Sequence, residues 1–153
     1  KRQLNALSEH INGLPEGFVP NLLKVRLALA PAYTGQAVSN AGAEVFHLLE
    51  GRYRLTDSPE QFSQFDWDLQ HGLTLLSQNP IFVMILNGFE TLFMNLAPIY
   101  FDLPQARKSS LIYYESLSKA AAEGDFRLAR SLTEKIMNES LKFWSQIYPQ
   151  SFK

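Results

Sequence analysis

Apolar residues recur every three to four positions along most of this chain, which is the spacing of amphipathic helices. Residues 1–18 predict a weak helix followed by a glycine-containing loop. From Asn21 the pattern is stronger, and it predicts a longer helix that Pro31 kinks or divides. A short helix over residues 43–49 is expected to follow, with Gly51 closing it.

Two helix starts in the middle of the chain carry clear capping signals. Ser58 precedes Pro59 and stands three residues before Gln61, the arrangement of a capping box with proline in the first turn. The apolar stripe that follows ends at Ser77. Asn79 is expected to cap the next helix in the same way.

Residues 81–101 are apolar around most of the helix circumference, as helices buried on most sides are. We therefore expect this helix at the centre of the fold, with a bend at Pro98. Another helix should begin at Pro104 and end near Gly124, and a last one should cover residues 125–148. Because no segment alternates with a period of two, the pattern predicts an all-α protein, an antiparallel bundle of six or seven helices.

Composition restricts the classes of protein to which the chain can belong. Its 153 residues suffice for one domain, and 46% of them are hydrophobic while 19% are charged, which excludes general disorder. There is no cysteine, so disulfides and thiolate chemistry are excluded and a reducing, cytoplasmic location is expected. The formal charge is -1, and no run of lysine or arginine offers the surface that DNA binding requires.

The N-terminal residues and the lengths of the apolar segments indicate whether the chain is secreted or spans a membrane. No signal peptide opens the sequence, and no apolar stretch reaches the length of a membrane-spanning helix. The first residue is Lys1 rather than methionine. We therefore expect a soluble domain that is part of a longer protein.

Two pairs of residues combine a carboxylate with a histidine one helical turn away. Glu44 and His47 have the spacing used in carboxylate di-metal bundles, but such sites need the motif twice and it occurs once. Asp68 and His71 have a spacing that can ligate a metal, although a surface ion pair explains it more simply. His10 is the remaining histidine. No nucleophile elbow, phosphate loop or dinucleotide fingerprint occurs, so we expect a protein that is not an enzyme and uses no metal or cofactor.

Two polar residues lie on apolar helix faces. Arg26 stands among leucines, where its stem can pack while its head reaches water, or where it can clamp an anion or carbonyl at a pocket mouth. Ser140 is one turn from Met137 and from Trp144, and its hydroxyl can bond to its own helix or to a ligand. The residues alone leave both choices open.

A collinear set of short segments carries a likeness to a known family. The segments are residues 21–26, 79–81, 85–88, 100–101, 106–107, 123–124 and 139–140, together with Trp144. In this order and spacing they resemble the C-terminal domain of the FadR regulators, fatty-acid-responsive members of the GntR family of transcription regulators. The similarity extends from Val19 to Trp144.

The resemblance implies a bundle whose interior cavity binds long-chain fatty acyl-CoA. It also implies that the ligand releases DNA from an N-terminal winged-helix domain, which this chain lacks, and that the whole protein acts as a homodimer with no membrane contact. By position, Arg26, Ser140 and Trp144 match residues for thioester and CoA recognition, and Tyr100 and Tyr114 match tyrosines of the cavity. The further positions implied at the cavity are Leu23, Leu73, Phe93 and Met137.

Four positions depart from the family pattern. Met137 stands where the family has glycine and Ile136 where it has an aromatic residue, so methionine narrows or reshapes the path of the thioester. Gln70 replaces an apolar aromatic residue of the family's pocket and adds a polar group that needs a partner. Pro149 falls where the family has a lysine near CoA, and Lys142 and Lys153 are the alternatives for that role. Two alternatives therefore stay open: a related GntR-family sensor for another carboxylate metabolite, and a dimerisation module without a ligand.

Metal-dependent relatives in the wider family use one aspartate and three histidines. Asp66 matches the aspartate, but Gln70, Tyr114 and Ile136 occupy the histidine positions. We therefore predict that chelators leave the thermal midpoint of tag-free protein unchanged, as measured by calorimetry. A stoichiometric transition metal in elemental analysis would contradict this prediction.

Overall fold

The computed structural model describes residues 13–153, and in that range the chain forms six α-helices and no strand. They are α1 (Phe18–Leu49), α2 (Pro59–Leu76), α3 (Pro80–Gly88), α4 (Glu90–Phe101), α5 (Pro104–Ala122) and α6 (Phe126–Ile147). Short 3-10 turns follow α1 at Glu50–Arg54 and α6 at Pro149–Phe152. The predicted all-α bundle is confirmed, while most of the weak helix predicted over residues 1–18 lies outside the described residues.

The longest helix, α1, is the element on which the others assemble. It packs against α2, α5 and α6. Small residues such as Ala30, Gly35 and Ala37 are buried on its surface and let the neighbouring helices approach closely. Val45 and Leu49 are fully buried toward its C-terminal end. The central position that α1 holds explains why its sequence divides only weakly into apolar and polar faces.

Residues 81–101 do not form the central helix that their apolar character predicts. The chain breaks at Phe89 into α3 and α4, which are bent by 64° relative to each other. Leu86 is buried, but Ile81 and Met84 are 56% and 68% exposed, because α3 packs mainly on α2. The prediction of one central helix is therefore wrong.

Within residues 13–153 no single helix is long and apolar enough to cross a membrane. The helices α3 and α4 reach that length and apolar character only when they are taken together, and the bend of 64° separates them.

The bend in α1 lies at Ala41 and not at Pro31. Pro31 is buried inside continuous helix, whereas Ala41 has φ -153° and ψ 49°. At the next residue, Gly42, a Cβ atom would lie 2.6 Å from the backbone oxygen of Ala121. The bend therefore coincides with the point where α1 passes the end of α5 too closely for a side chain. The helix α4 likewise continues through Pro98.

The predicted helix caps are present with one change of partner. The Ser58 hydroxyl accepts a hydrogen bond from the Gln61 amide at 3.3 Å, and the Asn79 side chain accepts one from the Ile81 amide at 3.1 Å. The Gln61 side chain accepts from the Thr56 amide at 3.1 Å, instead of from the cap residue as in a capping box. Local hydrogen bonds thus set the starts of α2 and α3.

The close approach at Gly42 gives a test of this fold. A methyl group there would press on the Ala121 carbonyl, so Gly42→Ala should lower the free energy of unfolding by about 1–3 kcal/mol. Gly88 has no atom within 4 Å of its Cβ position, and Gly88→Ala should change stability by less than about 1 kcal/mol, in the stabilising direction. Urea unfolding measures both variants. A Gly42→Ala variant as stable as the parent would contradict the described crossing of α1 and α5.

Candidate functional site

A cavity lies inside the bundle, with residues of all six helices in its wall. Its volume is about 70 Å³, well below the roughly 300–1,000 Å³ of typical small-molecule pockets. The wall residues are Val19, Leu22, Leu23, Arg26, Asp66, Gln70, Leu86, Phe89, Phe93, Leu96, Ala97, Tyr100, Phe101, Ser110, Tyr113, Ile136, Met137, Ser140 and Trp144. The wall is therefore mainly apolar, with a few polar side chains set into it.

Seven of the nine predicted site residues lie in this wall. They are Leu23, Arg26, Phe93, Tyr100, Met137, Ser140 and Trp144. The other two do not line the cavity: Leu73 is fully buried in the core, and Tyr114 is fully buried behind Asp66. Asp66 and Gln70 were outside the predicted set. The family resemblance places Gln70 at a pocket position, and the spacing of four residues between Asp66 and Gln70 on α2 is the signal that could have placed Asp66 beside it.

The guanidinium of Arg26 is the most unusual group in the cavity wall. Its Nε and Nη2 atoms are buried and have no hydrogen-bond partner among the described residues. Its central carbon lies 5.5 Å from the centroid of the Phe93 ring, an attractive cation–π contact worth about 0.5–2 kcal/mol. The head of Arg26 is therefore turned into the cavity instead of reaching water.

Four polar groups beside Arg26 form two hydrogen-bonded pairs. The Tyr114 hydroxyl donates to Oδ1 of Asp66 at 2.7 Å, and the Tyr33 hydroxyl donates to Oε1 of Gln70. Burial raises the pKa of the Asp66 carboxyl, while the charge of Arg26 and the hydrogen bond from Tyr114 act in the opposite direction. No ion pair within 4.0 Å joins Asp66 to Arg26 among the described residues. The polar group that Gln70 adds is satisfied, whereas Nε and Nη2 of Arg26 have no hydrogen-bond partner, although the guanidinium is near enough to the Tyr33 hydroxyl to act against the rise of its pKa.

The end of the cavity near α6 combines a hydroxyl with stacked aromatic rings. The Tyr100 and Trp144 rings lie 5.9 Å apart between centroids, with an interplanar angle of 23°. Burial raises the pKa of Tyr100 to about 12, and the nearby Ser140 hydroxyl acts in the opposite direction. Met137 lies one turn before Ser140 and is almost fully buried. The side chain of Met137 therefore fills space that a glycine would leave open.

The histidines of the described residues do not gather into a metal site. His47 contacts Glu50 at 2.7 Å on the exposed surface. His71 stacks on Trp67, with centroids 6.0 Å apart, and does not form the surface ion pair with Asp68 that the spacing predicts. Within residues 13–153 no group of three or more histidine, aspartate or glutamate side chains is arranged to hold a metal ion. His10 lies outside the described residues.

Comparison with known proteins places the chain in a family. A model of the FadR C-terminal domain matches residues 4–150. The chain belongs to the FadR C-terminal domain family. The fatty acid metabolism regulator protein of Shewanella sp. (strain MR-4) is 32% identical over 147 residues, which are 94% of this chain and 61% of that protein. The proteins of the same name from Shewanella amazonensis and Shewanella oneidensis are each 31% identical over the same shares.

The FadR C-terminal domain thus spans about three fifths of the length of the curated relatives it matches. Those relatives are named as regulators and not as enzymes. The match also covers both ends of the cavity, from Leu23 on α1 to Trp144 on α6. The family assignment therefore includes the residues that form the candidate site.

Buried tyrosines make the free energy of unfolding of this FadR domain depend on pH in the alkaline range. Burial raises the pKa of Tyr33 and of Tyr100 to about 12, whereas tyrosine in an unfolded chain ionises near pH 10. Between about pH 10 and 12 the folded state keeps protons that the unfolded state loses, so the free energy of unfolding should fall as pH rises. Near-ultraviolet phenolate absorbance, followed together with circular dichroism, should show that the buried tyrosines ionise only as the domain unfolds, whereas the exposed Tyr53 needs no unfolding to ionise. Ionisation of all tyrosines in a domain that stays folded would contradict this.

Proposed function

We propose that this domain binds a long-chain fatty acyl-CoA and acts by binding, not by catalysis. The observation that carries the proposal is the buried guanidinium of Arg26, which faces an apolar cavity with two nitrogens unpartnered. A buried charged group without partners costs several kcal/mol, which a ligand that supplies an acceptor oxygen would offset. The names of the relatives, regulators of fatty acid metabolism, support a fatty acyl ligand.

The polar groups of the cavity suit the thioester end of such a ligand. The thioester carbonyl oxygen would accept from Nε or Nη2 of Arg26, because a carbonyl in this interior needs a donor. Ser140, one turn from Trp144 on α6, would donate or accept at the start of the pantetheine arm. The acyl chain would run among the leucine, phenylalanine and tyrosine side chains of the wall.

An acyl chain cannot enter a cavity of about 70 Å³ without movement of the wall. Two parts of the wall are suited to move. Leu86 and Phe89 come from α3 and its junction with α4, and α3 packs mainly on α2 with a largely exposed surface. Met137 has an unbranched, flexible side chain that can change rotamer. Ligand entry is therefore coupled to displacement of α3 and of Met137.

In the proposed regulation, the movement that the ligand causes in this domain lowers the affinity of the full regulator for DNA. A ligand changes DNA affinity only if it binds the DNA-releasing arrangement better than the DNA-bound one. A shift from mostly bound to mostly free requires about 5 kcal/mol of differential affinity. The DNA contact would belong to an N-terminal winged-helix domain of the full regulator, acting as a homodimer in the cytoplasm.

A second candidate is a sensor for a smaller carboxylate metabolite. The small volume of the cavity and the unpartnered Arg26 favour it, because arginine binds carboxylates with two parallel hydrogen bonds. Asp66 argues against this candidate, since the Asp66 carboxylate in the cavity wall would repel the carboxylate of such a metabolite. A dimerisation module without a ligand has less support, because a solid core would not leave Arg26 facing an open space.

Replacing Arg26 separates these possibilities. Arg26→Met keeps the apolar stem, so the ligand-free domain should be at least as stable as the parent, as measured by thermal unfolding. Its affinity for palmitoyl-CoA should fall by about 1.5–3 kcal/mol, or about 10- to 150-fold, because a hydrogen bond from a charged donor is lost. Ser140→Ala should lose less, about 0.5–1.5 kcal/mol. Calorimetric titration measures both losses.

The matched control is Lys24→Met, which removes an exposed cation from the same helix outside the cavity wall. It should change neither stability nor affinity appreciably. A folded Arg26→Met variant that binds palmitoyl-CoA as tightly as the parent would rule out the thioester clamp. Parent protein that binds a short dicarboxylate but no acyl-CoA would favour the metabolite sensor.

A further inference from the structure

A surface groove lies between α5 and α6, and it shares only Tyr113 and Ile136 with the wall of the cavity. It has a volume of about 460 Å³ and is lined from Gln105 to Ser116 on α5 and from Leu132 to Phe143 on α6. Twelve residues of each helix correspond to a length of about 16 Å, or three helical turns. The groove is therefore long and open to solvent.

Apolar side chains form the floor of this groove. Ile112 is 59% exposed, although large apolar side chains are usually covered. Leu132 and Phe143, on the facing helix, are only partly buried. A partner that covered this floor would gain about 25 cal/mol for each Å² of apolar surface removed from water.

Three exposed lysines stand along the groove: Lys108 on α5, and Lys135 and Lys142 on α6. None of them forms an ion pair within 4.0 Å among the described residues. The carboxylate in the groove, Glu139, accepts a hydrogen bond from the Ser109 hydroxyl instead. The groove thus presents positive charge that this domain does not neutralise.

We propose that this groove docks an acidic amphipathic helix of a partner protein. A helix of about three turns matches its length, with apolar residues at positions i, i+3, i+4 and i+7 on the floor and carboxylates beside the lysines. A second copy of this chain fits less well, because a two-fold contact would bring lysines against lysines. A free phosphate compound fits less well too, because the Glu139 carboxylate lies between Lys135 and Lys142 on α6.

The test uses a synthetic, fluorescently labelled amphipathic peptide of about four turns with leucine on one face and glutamate beside it. The peptide should bind, and its affinity should fall as ionic strength rises. The double variant Lys135→Glu with Lys142→Glu should bind the peptide about tenfold more weakly or worse, since repulsion replaces attraction. The control, Lys24→Glu with Arg54→Glu, makes the same change of charge at exposed positions outside the groove and should bind normally.

Ile112→Ala tests the apolar floor without a change of charge, and it should weaken peptide binding several-fold. Circular dichroism checks that each variant folds. Palmitoyl-CoA should bind the Ile112→Ala variant as it binds the parent, because Ile112 lies in the groove and outside the cavity wall, so failure of either proposal is visible separately.

Four results would overturn the docking proposal. The first is absence of binding by the acidic peptide, and the second is equal binding by the same peptide with lysine in place of glutamate. The third is displacement of the peptide by inorganic tripolyphosphate that binds these lysines more tightly. The fourth is self-association of the domain in sedimentation that the double variant abolishes.

Discussion

The buried guanidinium of Arg26 is the constraint around which the interior of this domain is arranged. Desolvation of a cation costs several kcal/mol, and the contact with Phe93 returns only part of that. Two of its nitrogens still lack an acceptor in the ligand-free bundle. The folded state therefore carries an unsatisfied donor that an incoming oxygen can satisfy, which links stability and ligand binding at one residue.

The neighbours of Arg26 keep it unpaired. Asp66, the nearest candidate partner by charge, accepts from the Tyr114 hydroxyl and lies outside ion-pair distance of the guanidinium. Gln70 is engaged by Tyr33. Asp66 and Gln70 thus have donors other than Arg26, and the open space of the cavity is a direction from which an acceptor could reach Nε and Nη2.

The same cavity is too small for an acyl chain, and the elements around it differ in how firmly they are held. α1 packs against three helices, whereas α3 packs mainly on α2 and leaves Ile81 and Met84 exposed. A binding step that displaces α3 costs fewer buried contacts than one that displaces α1. The wall is thus packed more extensively on the side that carries Arg26 than on the side that carries Leu86 and Phe89.

Sequence periodicity predicted most of the helices because their caps are local: Ser58 and Asn79 bind amides two or three residues away. Periodicity failed for residues 81–101, since apolar character does not show how many neighbouring helices cover a helix. It also placed the bend of α1 at Pro31 instead of Ala41, because the bend coincides with a contact between Gly42 and Ala121 that is distant in sequence. The site residues on α1 and α6 came from the family resemblance. Asp66 was missed as a wall residue, and the partner of Gln70 was not predicted, because their hydrogen-bond partners, Tyr114 and Tyr33, are distant in sequence.

A crystal structure of the domain with palmitoyl-CoA tests the central claim most directly. The thioester carbonyl oxygen should lie within about 2.7–3.2 Å of Nε or Nη2 of Arg26, with Met137 and α3 displaced from their ligand-free positions. A structure in which the acyl chain occupies the interior while both nitrogens stay without a partner would contradict the claim. So would palmitoyl-CoA bound only outside the cavity.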